Sequence, residues 1–246
     1  NEFKTLRTYN GISGFTKMDE SVHDVFEGGH SSTSISAGLG FLEAKKTKPS
    51  EIGEVIAVIG DASVTNGLCF EALNYLAANT NQKMIIIIND NNMSISENIG
   101  FLAKRYNSLR VKKSMKAIKK IVPLRIKHAL QYYAYKVDLF TSLGFKYFEN
   151  INGHDFDELS KYLTAAKNST RSVVLHVKTI KGKGFDPAEA DKIGMWHGVS
   201  AYNISSGEFK ESINNLTFGE ALSDELIKIA EGEHKDLLRV LCPAMG

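Results

Sequence analysis

Two short β-branched runs joined by one helical pattern constrain this chain more than any other feature. Glu54 to Ile59 reads EVIAVI and Lys83 to Ile88 reads KMIIII, both short and apolar as buried strands require. Between them, Thr65 to Asn79 places Leu68, Leu73, Leu76 and Ala77 on the apolar side of a helix. A strand, a helix and a strand in that order form a βαβ unit, and apolar strands of this kind belong to a parallel sheet covered by helices. The expected fold class is therefore α/β, with a mostly parallel sheet flanked by helices.

The rest of the chain extends this pattern. Ser31 to Lys46 repeats Ile35, Leu39, Phe41 and Leu42 at helical spacing, with Ser31 and Ser32 as candidate caps and lysines at its end. Lys146 to Ile151 and Ser172 to Val177 read as two further strands, with a helix from about Phe156 to Lys167 between them. The first thirty residues and Lys181 to Pro187 read as loops, and Ser200 to Asn215 as a linker. Beyond it, Thr217 to Gly232 reads as a helix and Leu237 to Leu241 as a strand. One helix and one strand cannot cover their own apolar faces, so this terminal piece is expected to need more protein.

Composition narrows the function classes. No apolar run is long enough to span a membrane, and the first residues carry no signal-peptide core. Two cysteines, Cys69 and Cys242, make no disulfide framework, and Cys69 is expected as a small core residue in a reducing, cytoplasmic setting. The net charge of +2 conceals eleven Lys or Arg residues and no acid between Asn98 and Val137. That basic stretch, at about 101–140, reads as amphipathic helices with a solvated face, and neither nucleic acid nor a membrane is expected as a partner.

The chemistry should lie where strands deliver loops into helices, beyond the carboxyl end of the sheet. After EVIAVI comes Gly60-Asp61-Ala62-Ser63, and after KMIIII comes Asn89-Asp90-Asn91-Asn92-Met93. Each loop alone is also ordinary turn chemistry. Together, at the ends of neighbouring strands, they set Asp61 and Asn91 facing one another. Mg²⁺ takes oxygen ligands in octahedral geometry and shares them between protein, phosphate and water. Asp61 offers a carboxylate, Asn91 an amide oxygen and Met93 a main-chain carbonyl, leaving about three of six positions for diphosphate and water. The amides of Ala62 and Ser63 can hold the same diphosphate. A third element, Gly28-Gly29-His30-Ser31-Ser32-Thr33, opens a helix with glycines and hydroxyls and is also suited to anions.

These residues resemble the 1-deoxy-D-xylulose-5-phosphate synthase family. Gly60-Asp61-Ala62 followed by Asn89-Asp90-Asn91 is similar to the signature of thiamine-diphosphate enzymes generally. GGHSSTSISAGLG from Gly28, FEALN from Phe70, NDNNMSISENIG from Asn89, NGHD from Asn152, KTIKGKGFDPAE from Lys178 and LCPAM from Leu241 narrow it to that family. The resemblance implies a thiamine-diphosphate-binding fold, with thiamine diphosphate and Mg²⁺ as cofactors, pyruvate and D-glyceraldehyde 3-phosphate as substrates, and a homodimer. The implied reaction is a decarboxylative condensation feeding isoprenoid, thiamine and pyridoxal synthesis, with the cofactor carrying the electrons. By motif, Asp61, Asn91 and Met93 bind the metal, and Ser13, Gly29, His30, Ser31, Ala62, Ser63, Asn91 and Phe185 contact the cofactor. His30 and His197 are the catalytic candidates; His197 also reads as a surface histidine beside Trp196.

The chain departs from the family in three respects. Ala62 stands where the family has glycine, a strain if that position needs positive φ. Asn66 stands where a small residue is common. The family's upstream histidine motif does not precede Asn1, and the chain stops at Gly246. Residues 1–210 are accordingly expected to be the diphosphate- and Mg²⁺-binding domain and 214–246 the start of a truncated pyrimidine-binding domain, the 246 residues alone being catalytically incompetent. The competing readings are a non-catalytic thiamine-diphosphate-binding paralogue and one subunit of a split transketolase.

Overall fold

The computed structural model describes residues 2–91, 139–191, 194–210, 217–233 and 235–240. Met93 and almost all of the basic segment at 101–140 lie outside the described residues. The chain divides into two compact units, Asn1–Lys183 and Gly184–Gly246.

Among the described residues the first unit holds four parallel strands: β1 (Val55–Gly60), β2 (Met84–Asp90), β3 (Lys146–Asn152) and β4 (Val173–Lys178). Their order is β1-β2-β4-β3. Helices α1 (Ser34–Thr47), α2 (Gly67–Ala78) and the short α3 (Leu139–Ser142) contribute Ile35, Leu42, Leu73, Leu76 and Phe140 to the core on one face. Helix α4 (Phe156–Lys167) sends Leu159, Tyr162 and Ala166 to the other face, against Ile85, Ile151, Val173 and Leu175. The βαβ units run toward the middle of the sheet from both edges, so their helices fall on opposite faces. The switch point lies between β2 and β4, and that is where a ligand crevice belongs in such a sheet.

Several elements refine the sequence reading. β1 is buried on one face only: Ile56 and Val58 are 51% and 59% exposed. Among the described strands it is an edge, and the cluster beneath α4 takes in residues of β2, β3 and β4 but none of β1. Helix α1 starts at Ser34 rather than Ser31, because Ser32 takes a left-handed φ of 70° and Thr33 occupies the cap position. In α2 the buried stripe is Cys69, Ala72, Leu73 and Leu76, an i, i+3, i+4, i+7 set, while Leu68 faces outward. Asn66 is the cap of α2, its side-chain oxygen accepting from the Leu68 amide at 2.9 Å, which explains a polar residue there.

In the second unit, Phe185, Trp196, Tyr202 and Phe209 form one aromatic cluster with centroids 4.9–6.4 Å apart. Pro187 lies in the first turn of the short α5 (Asp186–Glu189), and Gly207, at φ 74°, brings backbone against Pro187 where a side chain would not fit. Helix α6 (Phe218–Glu231) starts at a capping box between Thr217 and Glu220 and buries none of its residues. The strand expected at Leu237–Leu241 does not form over 237–240, which are irregular. An apolar run becomes a strand only when a neighbour supplies the other half of the ladder.

Candidate functional site

Parallel pairing of β1 and β2 runs in register through Gly60↔Asn89. One step further, the Asp61 amide donates to the Asn89 carbonyl at 3.2 Å. The two predicted loops therefore leave the same end of adjacent strands, and Asp61, Ala62, Ser63 and Asn91 are all half-buried there. Asp61 turns directly into a 3-10 turn, Ala62–Thr65, which leads into α2.

The Asp61 carboxyl is pushed above the usual carboxylate range, first by burial and then by the negative charge of Asp90; the Ala62 amide, donating to it, pulls the other way. A carboxylate kept in a half-dry, negative corner is what a hard cation relieves. The oxygen chemistry of Asp61 and Asn91 fits Mg²⁺, which shares its coordination shell with phosphate and water. Among the described residues no cluster of three or more His, Cys, Asp or Glu offers an all-protein metal cage.

Ala62 has a negative φ at the head of its turn. The departure from glycine thus carries no backbone strain, because alanine is strained only at positive φ.

A second group assembles around the N-terminal loop. Thr16 Oγ1 donates to the Phe26 carbonyl at 2.9 Å, folding residues 13–18 back along residues 24–29. Phe15 is thereby laid against Gly29, where an added Cβ would stand 3.3 Å from the ring. The Ser13 amide donates to Glu20 at 2.9 Å, and its hydroxyl accepts from the Phe15 amide. His30 is exposed, with Nδ1 2.8 Å from the Ser31 carbonyl. A carbonyl only accepts, so Nδ1 carries the proton, and in the neutral ring Nε2 is left as a base or acceptor. Ser31 is exposed beside it.

Phe185 and His197 belong to the second unit. Phe185 is half-buried in the aromatic cluster, and His197 is exposed, its amide donating to the Gly194 carbonyl at 3.0 Å. Asp61, Ala62, Ser63 and Asn91 are thus brought together at the sheet end, and Ser13, Gly29, His30 and Ser31 at the N-terminal loop.

Sequence reasoning missed two hydrogen-bonded systems at the same sheet end. Asn89 Oδ1 accepts from Thr179 Oγ1 at 2.7 Å. His176, in the otherwise apolar run VVLHV, sits between Asp90 and Tyr147. The signal was there: a lone imidazole in a buried strand must satisfy two nitrogens. The NGHD segment is explained by the same neighbourhood. Gly153 donates to the Lys178 carbonyl at 2.8 Å, an approach so close that a Cβ would stand 2.6 Å from Thr179 Cγ2. His154 Nε2 accepts from the Ile180 amide at 2.8 Å, and Asp155 caps α4 through the amides of Asp157 and Glu158.

Comparisons with known proteins show the family and the fold. Residues 1–179 match the family described as 1-deoxy-D-xylulose-5-phosphate synthase. Over 247 residues the chain is 40% identical to a protein of that name from Listeria monocytogenes serotype 4b (strain CLIP80459), covering 99% of this chain and 37% of the relative. A second, from Geobacillus sp. (strain WCH70), is 38% identical over 262 residues, covering 99% of this chain and 41% of the relative. The chain therefore spans about two fifths of the length of these relatives. Among solved structures, a Campylobacter jejuni transketolase superposes with a TM-score of 0.53 at 22% identity, covering 75% of this chain and 25% of that one. A transketolase from Leishmania mexicana gives 0.53 at 17% identity, with 96% and 33% covered. At these identities the two structures attest the fold.

Proposed function

The chain belongs to the 1-deoxy-D-xylulose-5-phosphate synthase family, and on that premise we propose that it forms the diphosphate- and Mg²⁺-binding part of such a synthase. The whole protein would condense pyruvate with D-glyceraldehyde 3-phosphate, releasing carbon dioxide, as a cytoplasmic homodimer. The carrying observation is the β1–β2 register, which delivers Asp61 and Asn91 to one end of the sheet beside the switch point.

In this reading Asp61 and Asn91 hold the cation together with the Met93 carbonyl. Thiamine diphosphate, when bound, supplies the electron sink for decarboxylation and carbon–carbon bond formation. The chain's own residues do the positioning. The Ser63 amide, at the head of the 3-10 turn, would face the diphosphate, beside the Ala62 amide, which donates to the Asp61 carboxyl in the metal-free protein. Ser13, Gly29, His30 and Ser31 line the cofactor from the N-terminal loop, Gly29 through backbone made accessible by the missing side chain. His30 Nε2 accepts a proton or a hydrogen bond, Phe185 packs against the cofactor, and His197 serves as a polar group toward substrate. Residues 1–210 form the diphosphate-binding domain, and α6 is the first element of the pyrimidine-binding one. Its exposed apolar residues Leu222 and Ile229 suit cover by the rest of the protein or a second copy. The negative φ of Ala62 removes the backbone argument for a paralogue unable to bind the cofactor.

Titration calorimetry with thiamine diphosphate, with and without Mg²⁺, tests the cradle, and carbon dioxide release from pyruvate in the presence of D-glyceraldehyde 3-phosphate tests the whole protein. Binding that ignores Mg²⁺, or that survives loss of the Asp61 carboxylate, would overturn the reading.

A further inference from the structure

Strand β4 buries one ionisable side chain, His176, among apolar neighbours, and burial makes demands on it. His176 is 7% exposed and Asp90 8%. His176 Nε2 lies 2.7 Å from Asp90 Oδ2, and Nδ1 lies 2.8 Å from the Tyr147 hydroxyl. An ionised carboxylate only accepts, so Nε2 donates to Asp90, and in the neutral ring Nδ1 accepts from Tyr147. Both nitrogens are satisfied by a one-way chain, Tyr147 to His176 to Asp90. The Tyr147 ring packs on Phe140, with centroids 5.4 Å apart, which fixes the far end. The three residues come from β3, β4 and β2, successive neighbours in the sheet.

Stability alone does not account for such a chain. Apolar replacement of buried ionisable pairs is often neutral or stabilising, because desolvating such a pair offsets what it contributes. Its location is more informative. Asp90 is the last residue of β2, and its main chain is held too: the Thr179 amide donates to the Asp90 carbonyl at 3.0 Å. On the preceding residue, Asn89, the side chain is fixed by Thr179 Oγ1 and the carbonyl by the Asp61 amide. The peptide leading into Asn91 is thus anchored from three strands.

We propose that Tyr147, His176 and Asp90 are positioning residues for the cation site: their hydrogen-bonded chain pins the end of β2 across the switch point, so that Asn91 leaves from a fixed peptide beside Asp61. The proposal rests on the reading of Asp61 and Asn91 as metal ligands. It assigns no chemistry to the imidazole, which acts through Asp90.

The test is the Mg²⁺ concentration that half-saturates thiamine diphosphate binding, measured by titration calorimetry on the full chain well below its melting temperature. Tyr147→Phe removes one hydroxyl and keeps the packed ring; His176→Leu cuts the chain at its centre. Each is expected to raise the half-saturating Mg²⁺ by about tenfold, the lower end of what partners of metal ligands are worth. His176→Gln, whose amide can donate to Asp90 and accept from Tyr147, is expected to recover most of that loss. Val173→Ala, buried in the same strand on the opposite face, is expected to lower the melting temperature and leave the Mg²⁺ requirement unchanged. If Tyr147→Phe and His176→Leu lower only the melting temperature while Asp61→Asn raises the Mg²⁺ requirement, the chain is merely structural and the proposal fails. If Asp61→Asn changes nothing either, the cation site itself is elsewhere, and the proposal falls with it. His176→Leu risks misfolding; Tyr147→Phe then decides alone.

Discussion

The Asp61 amide donates to the Asn89 carbonyl at 3.2 Å, so the loop after β1 begins as a continuation of the β1–β2 ladder. Asp61 is therefore placed by the sheet rather than by its own loop, and rigid elements hold functional groups more accurately than loops do.

Asp61→Asn keeps the shape of the side chain and removes its charge. Mg²⁺-supported thiamine diphosphate binding is expected to fall at least about a hundredfold, since even the outer partners of metal ligands are worth about 10- to 100-fold. Calorimetric titration at fixed Mg²⁺ measures this.

Acid should loosen metal binding earlier than an ordinary aspartate would. The Asp61 carboxyl is raised by burial and by Asp90, so its ionised form is the costly one in the metal-free protein. Its contribution to metal-free stability is fully present below the unfolded-state value and is lost as pH rises through the raised folded-state one. Mg²⁺ needs the ionised form, so the rise in melting temperature on adding Mg²⁺ should grow with pH across the acidic range and then level off. Asp61→Asn should flatten that profile.

Ala62→Gly would restore the residue common in the family without restoring any lost function. Ala62 has a negative φ, so the glycine only adds freedom to the unfolded chain and should cost about 0.5–1 kcal/mol. Denaturant unfolding should show the loss, and calorimetry no gain in cofactor affinity.

Gly153→Ala places a methyl 2.6 Å from Thr179 Cγ2 and 2.8 Å from Val177 Cγ1. The β3–β4 end must shift to admit it, at about 1–3 kcal/mol. Because Thr179 also holds Asn89 and Asp90, the variant should weaken Mg²⁺-dependent binding as well as lower the melting temperature.

The Cys69 thiol is buried in α2, and burial pushes it up to about 11 from an ordinary 9.0. Reaction of native protein with a thiol reagent at mildly alkaline pH should be slow at Cys69 and become complete on unfolding. The thiol's contribution to stability is present below its unfolded value and should be lost as pH rises from 9.0 through about 11. Cys69→Ala, compared by melting temperature across that range, should remove this component.

Much of the fold could be read from the chain because its periods are strong. All four strands of the sheet fall within a residue or two of the runs EVIAVI, KMIIII, Lys146–Ile151 and Ser172–Val177. The sheet-end loops were legible for the same reason: once two strands are parallel neighbours, the loops leaving their carboxyl ends must meet. The features that escaped depend on relationships that no local window contains. Ile56 and Val58 look like core by composition, and only the strand order makes β1 an edge. Ser32 reads as a cap until its left-handed backbone passes that position to Thr33. His176 was silent because its partners, Asp90 and Tyr147, lie 86 and 29 residues away in sequence. Leu237–Leu241 has the composition of a strand, but composition supplies no neighbour.

That 86-residue separation has a kinetic meaning. β3 and α4 lie between the chain segments that make the Asp90–His176 contact, so the entropy of closing that loop sets late formation as the expected order. A fragment containing just the β1–α2–β2 half of the sheet keeps the Asp61–Asn89 bond but lacks His176 and Thr179, which hold Asp90 and Asn89. The amides at this junction, Thr179 above all, should exchange with solvent only through the largest opening motions of the unit. The sheet end that carries Asp61 and Asn91 thus completes only as the whole unit folds.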